Sequence, residues 1–189
     1  MQIGYVDYHI TVTDAQRENP FVDVPEDSFY FEPVLWAVEE GITTGTDATH
    51  FDPNGQCMRA VVVTFLWRAA GSPDPPTTEN PFTDVKEGDF FYKAVLWALE
   101  KGITNGISAT EFAPYSLCNR AQVVTFLWRA MGKPEPTTTE NPFSDVNTAD
   151  FYGKAVLWAL EQEITNGMGN GTFGIDTICN RAQVVTFLY

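Results

Sequence analysis

Asn119-Arg120-Ala121-Gln122-Val123-Val124-Thr125-Phe126-Leu127-Trp128 is the stretch on which the fold turns. It recurs as Asn180-Arg181-Ala182-Gln183-Val184-Val185-Thr186-Phe187-Leu188-Tyr189 and, less closely, as Met58-Arg59-Ala60-Val61-Val62-Val63-Thr64-Phe65-Leu66-Trp67. The step is 61 residues each time, and Asp23, Asp84 and Asp145, each inside Phe-x-Asp-Val, keep that step. A fixed period of this size marks one supersecondary unit written three times. Copies of about 60 residues lie near the lower limit for an independent core, so they must pack on one another. A scarce charge travels with the period. The chain has 11 Lys and Arg against 25 Asp and Glu, yet one Arg keeps its place in every copy.

Outward from each Arg, Val, Phe and Leu recur with a helical period, which predicts a helix beginning near Met58, Asn119 and Asn180. Asn119 with Gln122, and Asn180 with Gln183, resemble capping boxes, whereas Met58 and Val61 keep neither half. An Arg at the first helical position faces the positive end of the helix dipole, unfavourable by about 0.3–1 kcal/mol. Two readings of Arg59, Arg120 and Arg181 stay open. One is an internal salt bridge to Asp23, Asp84 or Asp145. The other is a helix N-terminus joined to a guanidinium as a planar, bidentate site for a carboxylate or phosphate. Arg68 and Arg129, nine positions on, fall on the opposite helix face and read as surface or inter-repeat contacts.

Upstream in each copy, Asn-Pro-Phe and Asp-Val lead through a polar turn and aromatic residues to a first helix. It is predicted over Pro33 to Glu40, Ala94 to Lys101 and Ala155 to Gln162. Gly41 and Gly102 sit where a left-handed residue ends such a helix, and Glu163 replaces them in the third copy. Trp36, Trp97 and Trp158 recur on this helix, as core or as an indole face for a sugar ring. Ile-Thr-x-Gly follows, with Gly45, Gly106 and Gly167 either supplying positive φ or letting the backbone approach a ligand. Cys57, Cys118 and Cys179 share one slot and read as small buried hydrophobes, or, more rarely, as three thiols converging on an axis. The Pro- and Thr-rich linkers Ser72 to Glu79 and Lys133 to Glu140 are expected to be extended and solvated. The organisation is thus a leader or tail of an upstream module over 1–18, repeats over 19–79, 80–140 and a shortened 141–189, with 19–189 folding as one unit. The alternating stretch Tyr5 to Val12 reads as a strand, and Met1 to Gln16 lacks the basic start and apolar block of a signal peptide. Export directed from elsewhere, or a fragment of a longer secreted chain, is the expectation.

Composition narrows the function. A net charge of -14 argues against nucleic acid and against an anionic membrane surface, so an anionic ligand would need focused contacts. Nothing approaches the length of a membrane span, so no membrane insertion is expected. His9 and His50 do not repeat, and neither a nucleophile elbow nor a phosphate loop appears, so no catalytic residues are assigned. Asp47 and Asp52 become Ser108 and Ala113, then Gly169 and Gly174, which removes a calcium-loop reading. No metal site and no cofactor are expected.

Phe-x-Asp-Val, an aromatic-rich helix start, Ile-Thr-x-Gly, Phe-x-Pro and Arg-Ala-Gln in three tandem copies resemble S-layer homology (SLH) domains over Asn19 to Tyr189. The resemblance implies a mainly α fold: three helix-loop-helix repeats forming one pseudo-threefold domain around a central three-helix bundle, with ligand grooves between copies. It implies an extracellular, non-catalytic module at the bacterial cell wall, holding a secondary cell-wall polymer through a pyruvate-bearing, anionic sugar. Family members open the second helix with Thr-Arg-Ala-Glu, whose Arg contributes to the groove and matches Arg59, Arg120 and Arg181. Ligand contacts are accordingly expected from these arginines, from Trp36, Trp97 and Trp158, from Gly45, Gly106 and Gly167, and from Gln122 and Gln183. Departures at Met58, Val61, Glu163 and Ile175 predict unequal grooves, the one around Arg120 best preserved. The rival is a degenerate scaffold that presents its surface to a protein partner or self-associates in a surface layer.

Overall fold

The structure is a computed structural model that describes residues 18–189. The strand expected over Tyr5 to Val12 and the residues around His9 lie outside the described residues. Six helices follow in order: α1 (Phe31–Glu39), α2 (Arg59–Ala69), α3 (Tyr92–Glu100), α4 (Arg120–Ala130), α5 (Gly153–Glu161) and α6 (Arg181–Leu188). The first helix of each copy starts two residues earlier than Pro33, Ala94 and Ala155 suggest, so Pro33 still occupies the first turn of α1. Among the described residues no helix is long and apolar enough to cross a membrane.

The two helix types differ in how much of their circumference is covered. In α4, Ala121, Val123, Val124, Thr125, Phe126, Leu127 and Trp128 are all buried, as is Arg120. A helix apolar nearly all round belongs inside. Accordingly α2, α4 and α6 pack on one another as the central bundle. Thr64, Thr125 and Thr186 fit there because each hydroxyl donates to the carbonyl four residues earlier, that of Ala60, Ala121 and Ala182.

Each central helix also packs on the first helix of the following copy: α2 on α3, α4 on α5, and α6 back on α1. The third copy therefore closes on the first, and the repeat becomes a ring instead of an open stack. The same order is written in the backbone at the axis. Cys118 N–H donates to Cys57 C=O, Cys179 N–H to Cys118 C=O, and Cys57 N–H to Cys179 C=O, each at 2.9 Å. The three cysteines thus converge on the axis and are also fully buried. Burial pushes each thiol up to about 12, which leaves them unreactive in the folded state.

Loops are pinned by repeated polar contacts. The Asn80 side chain donates to Val85 C=O and accepts from Phe82 N–H, and Asn19 and Asn141 do the same. Gly41 and Gly102 end α1 and α3 at φ +68° and +65°, and Glu163 takes the same left-handed conformation at +58°. The first-helix stop is thus kept in the third copy at a strain of about 1 kcal/mol. The linkers are extended but not free: Trp67 Nε1 donates to Pro73 C=O, and Lys93 pairs with Asp74 at 2.6 Å. Trp128 with Pro134 and Lys154 with Glu135 repeat the arrangement. The correction to full solvation comes from these anchors, which tie each linker to the helices on either side.

Asp145 accepts from the backbone N–H of Phe173, Gly174 and Ile175. Burial pushes its carboxyl up, but those three donors outweigh burial and hold it below the ordinary range. A depressed folded-state pKa contributes stability above the unfolded value and loses it as pH falls through the folded one. Asp145→Ala should lower the neutral-pH urea stability by about 1–3 kcal/mol and flatten the loss of stability below about pH 4. An unchanged midpoint and an unchanged acid limb would exclude this role.

Candidate functional site

Each Arg reaches out of its own copy into the next. Arg59 Nε donates to Phe112 C=O at 2.9 Å, Arg120 Nε to Phe173 C=O at 2.9 Å, and Arg181 Nε to Phe51 C=O at 2.8 Å. The guanidinium also lies over the same ring, 4.9 Å from the Phe112 centroid for Arg59 and 4.8 Å from Phe51 for Arg181. A second ring, Phe126, Phe187 or Phe65, covers it from the other helix. Arg59 and Arg120 are 5% and 3% exposed, and burial lowers the pKa of all three guanidiniums. They remain charged, because a guanidinium does not deprotonate in a protein.

The internal salt bridge does not form. Asp84 turns instead to the backbone of the loop that Arg59 contacts, accepting from Phe112 N–H at 2.9 Å and Ala113 N–H at 2.7 Å. Asp23 does likewise with Phe51 and Asp52. Opposite charges thus grip the two ends of one residue. The helix N-terminus is not an open anion site either. Arg59 N–H and Ala60 N–H donate to the carbonyls of Ser116 and Pro114, and Arg120 and Ala121 to Thr177 and Ile175. Those carbonyls also explain how an Arg is tolerated at the positive helix end, since they set negative dipole ends against it. The capping boxes at Asn119–Gln122 and Asn180–Gln183 are present, and Met58 has no side-chain cap.

Beside Arg59 a cavity of about 260 Å³ opens between copies. Its wall takes Arg59 from the first copy, Thr104, Asn105, Gly106, Gln122 and Arg129 from the second, and Phe151 from the third. No carboxylate lines it. In a chain carrying -14, a cavity with two guanidiniums and amide side chains is a local reversal of sign. At Arg59 only Nε is hydrogen-bonded among the described residues, whereas Arg120 also gives Nη2 to Thr165 at 3.0 Å. Arg129, read from the sequence as a surface or inter-repeat contact, is a groove residue; its Nη1 donates to Ile103 C=O at 3.1 Å. Being opposite Arg120 on α4 places it in the preceding groove, an outcome that helical phase permits but only the ring reveals.

For two of the three indoles the structure favours the core reading. Trp97 and Trp158 are 6% exposed in the core and do not line this cavity; Trp36 packs edge-on to Tyr189 at 5.6 Å. The ring at the cavity mouth is Phe151, 60% exposed, with Phe29 and Phe90 exposed at the same place in their copies. Their exposure was invisible in a run of aromatic residues whose neighbours are buried or half-buried. Gly106 both lines the cavity and supplies a turn: φ is +79°, and its N–H is already taken by the Thr104 hydroxyl at 3.1 Å. Gly45 and Gly167 repeat this turn, and Gln183 caps α6 as Gln122 caps α4. Among the described residues no His, Cys, Asp and Glu cluster could hold a metal ion.

The S-layer homology domain profile matches residues 20–60, 81–124 and 142–185. An endoglucanase of Bacillus sp. (strain KSM-635) is 32% identical over 85% of this chain and 18% of that protein. The surface-layer 125 kDa protein of Lysinibacillus sphaericus is 28% identical over 86% of the chain and 13% of its own length. The S-layer protein sap of Bacillus anthracis is 24% identical over 82% and 19%. The chain thus spans under a fifth of each of these relatives.

A Cβ at Gly106 would stand 2.5 Å from Glu111 O and 2.6 Å from Phe82 Cε1. Gly106→Ala should therefore destabilise the fold by about 2 kcal/mol or more, combining strain and overpacking. Chemical denaturation measures it, and a loss under about 0.5 kcal/mol, the level of an inert surface change, would show the turn to be compliant.

Proposed function

This chain belongs to the S-layer homology family, which makes it a cell-surface anchoring module, and we propose that it holds an anionic glycan of the bacterial cell wall. The observation that carries the proposal is the carboxylate-free cavity shared by Arg59 and Arg129. A guanidinium fork recognises a carboxylate through two parallel hydrogen bonds. A sugar bearing a pyruvate ketal offers that carboxylate beside a ring whose apolar face can rest on exposed Phe151. Asn105 is exposed and gives amide donors and acceptors toward the sugar hydroxyls. Neither a His nor a carboxylate pair stands in the cavity to do acid–base chemistry. The proposal is of binding without turnover, and the endoglucanase likeness concerns 18% of that enzyme.

Exposed Phe29, Phe90 and Phe151 also suit the rival reading, a scaffold that meets a protein partner or neighbouring copies in a surface layer. The two readings separate on the acid group of the polymer. Purified wall polymer should bind, and the same polymer stripped of its pyruvate should not. Asn105→Ala and Phe151→Ala, both at exposed positions, should weaken binding roughly tenfold each with unchanged melting. Arg129→Gln should weaken binding and reduce its salt dependence. Arg59→Ala is a poorer probe, because Phe112 C=O would lose its buried donor and the fold would suffer. Equal binding of stripped and intact polymer would overturn the proposal.

A further inference from the structure

The three copies act as controls for one another. Residues 52, 113 and 174 occupy one position, all with positive φ: 58° for Asp52, 59° for Ala113 and 80° for Gly174. Each gives its N–H to the carboxylate of Asp23, Asp84 or Asp145, at 2.8, 2.7 and 2.7 Å. The backbone is therefore the same, and only the first copy hangs a charge from it.

That charge sits beside one arginine. A Cβ on Gly55 would collide with Asp52 Oδ2 and lie 3.2 Å from Arg181 Cδ. Carboxylate and arginine stem thus flank the same glycine. Ser116 and Thr177 stand at the Gly55 position in the other copies, where a side chain fills the space into which Asp52 folds. Arg181 is tied to this loop by its own N–H to Gly55 C=O and by Nε to Phe51 C=O, both at 2.8 Å. Its groove differs in two further respects. The Thr43 hydroxyl stands 3.5 Å from Nη2, against 3.0 Å for Thr165 at Arg120, and Val61 replaces the Gln122 of the Arg59 cavity. Electrostatically, Asp52 acts on Arg181 beside Asp23, whereas Arg59 and Arg120 each feel only the repeated Asp84 or Asp145 among carboxylates.

We infer that Asp52 is a specificity-determining residue that weakens carboxylate capture at Arg181, so that the three grooves of one chain are graded in affinity. The inference rests on the anionic-glycan reading for its biological ligand, but its physics needs only a carboxylate. An anion approaching Arg181 meets an added negative charge beside the arginine stem, short of ion-pair contact with the guanidinium. At a partly exposed site this weakens binding by about three- to tenfold.

The test uses sodium pyruvate as the probe at fixed ionic strength, following the Nε–H resonances of Arg59, Arg120 and Arg181 by NMR. Wild type should show Arg181 as the weakest of the three. Asp52→Asn keeps a residue at ease with positive φ and leaves the N–H to Asp23 in place. It should tighten pyruvate at Arg181 about three- to tenfold and leave Arg59 and Arg120 unchanged. Arg181 already as tight as Arg59 in wild type, or resonances indifferent to Asp52→Asn, would overturn the inference. Intact and pyruvate-stripped wall polymer are assayed in parallel. Polymer binding that ignores the acid group sinks the glycan reading alone, with the ranking of the arginines still standing.

Discussion

Everything in this fold leans on one residue held from three sides. Phe112 gives its N–H to Asp84, its C=O to Arg59 Nε, and its ring to the underside of the same guanidinium, while its side chain is fully buried. The Asp comes from the same copy as the Phe and the Arg from the copy before it. Phe173 and Phe51 repeat the arrangement with Arg120 and Arg181. A buried guanidinium is expensive unless its donors are met. Giving Nε–H to the neighbour's backbone ties each copy to the next. The ring closes for the same reason that a lone copy of about 60 residues would be marginal.

The same constraint shapes the grooves. Because every Arg crosses a boundary, the Arg59 groove is assembled from the first copy's Arg, the second copy's Thr-x-Gly turn and second helix, and the third copy's exposed Phe. Grading the copies by how well each preserves its motif is then the wrong unit of comparison. The first copy has lost its cap at Met58 and Val61, yet its Arg59 faces the intact turn and Gln122 of the second. The second copy keeps its cap, yet Arg120 spends a terminal nitrogen on Thr165. Arg181 looks into the first copy, where Asp52 stands beside its stem and Val61 holds the place of Gln122 in the repeat. Divergence in one copy is felt in the groove of its predecessor.

Much of this was legible beforehand. The helices, the left-handed residues at Gly41, Gly102 and Glu163, and the capping boxes at Asn119 and Asn180 rest on local rules, and they appear where those rules put them, the helix bounds to within two residues. The misreadings share one cause. Asp84 and Arg59 were natural partners by charge and period, but proximity in three dimensions gave each a backbone partner first. Trp97 was a fair sugar platform by type, but its helix packs against α2 and turns the indole inward.

The sequence alone determined that there are three copies, that each is helix-loop-helix, and that one cation repeats in an acidic chain. Those follow from period, helical phase and capping chemistry, which act within a few residues of one another. Only the tertiary structure decided which copy each Arg serves, that Arg129 shares the cavity with Arg59, and that Phe151 is exposed at its mouth. Side-chain direction across a boundary depends on which helix packs where. In a closed ring that is settled by all three copies together, not by any one of them.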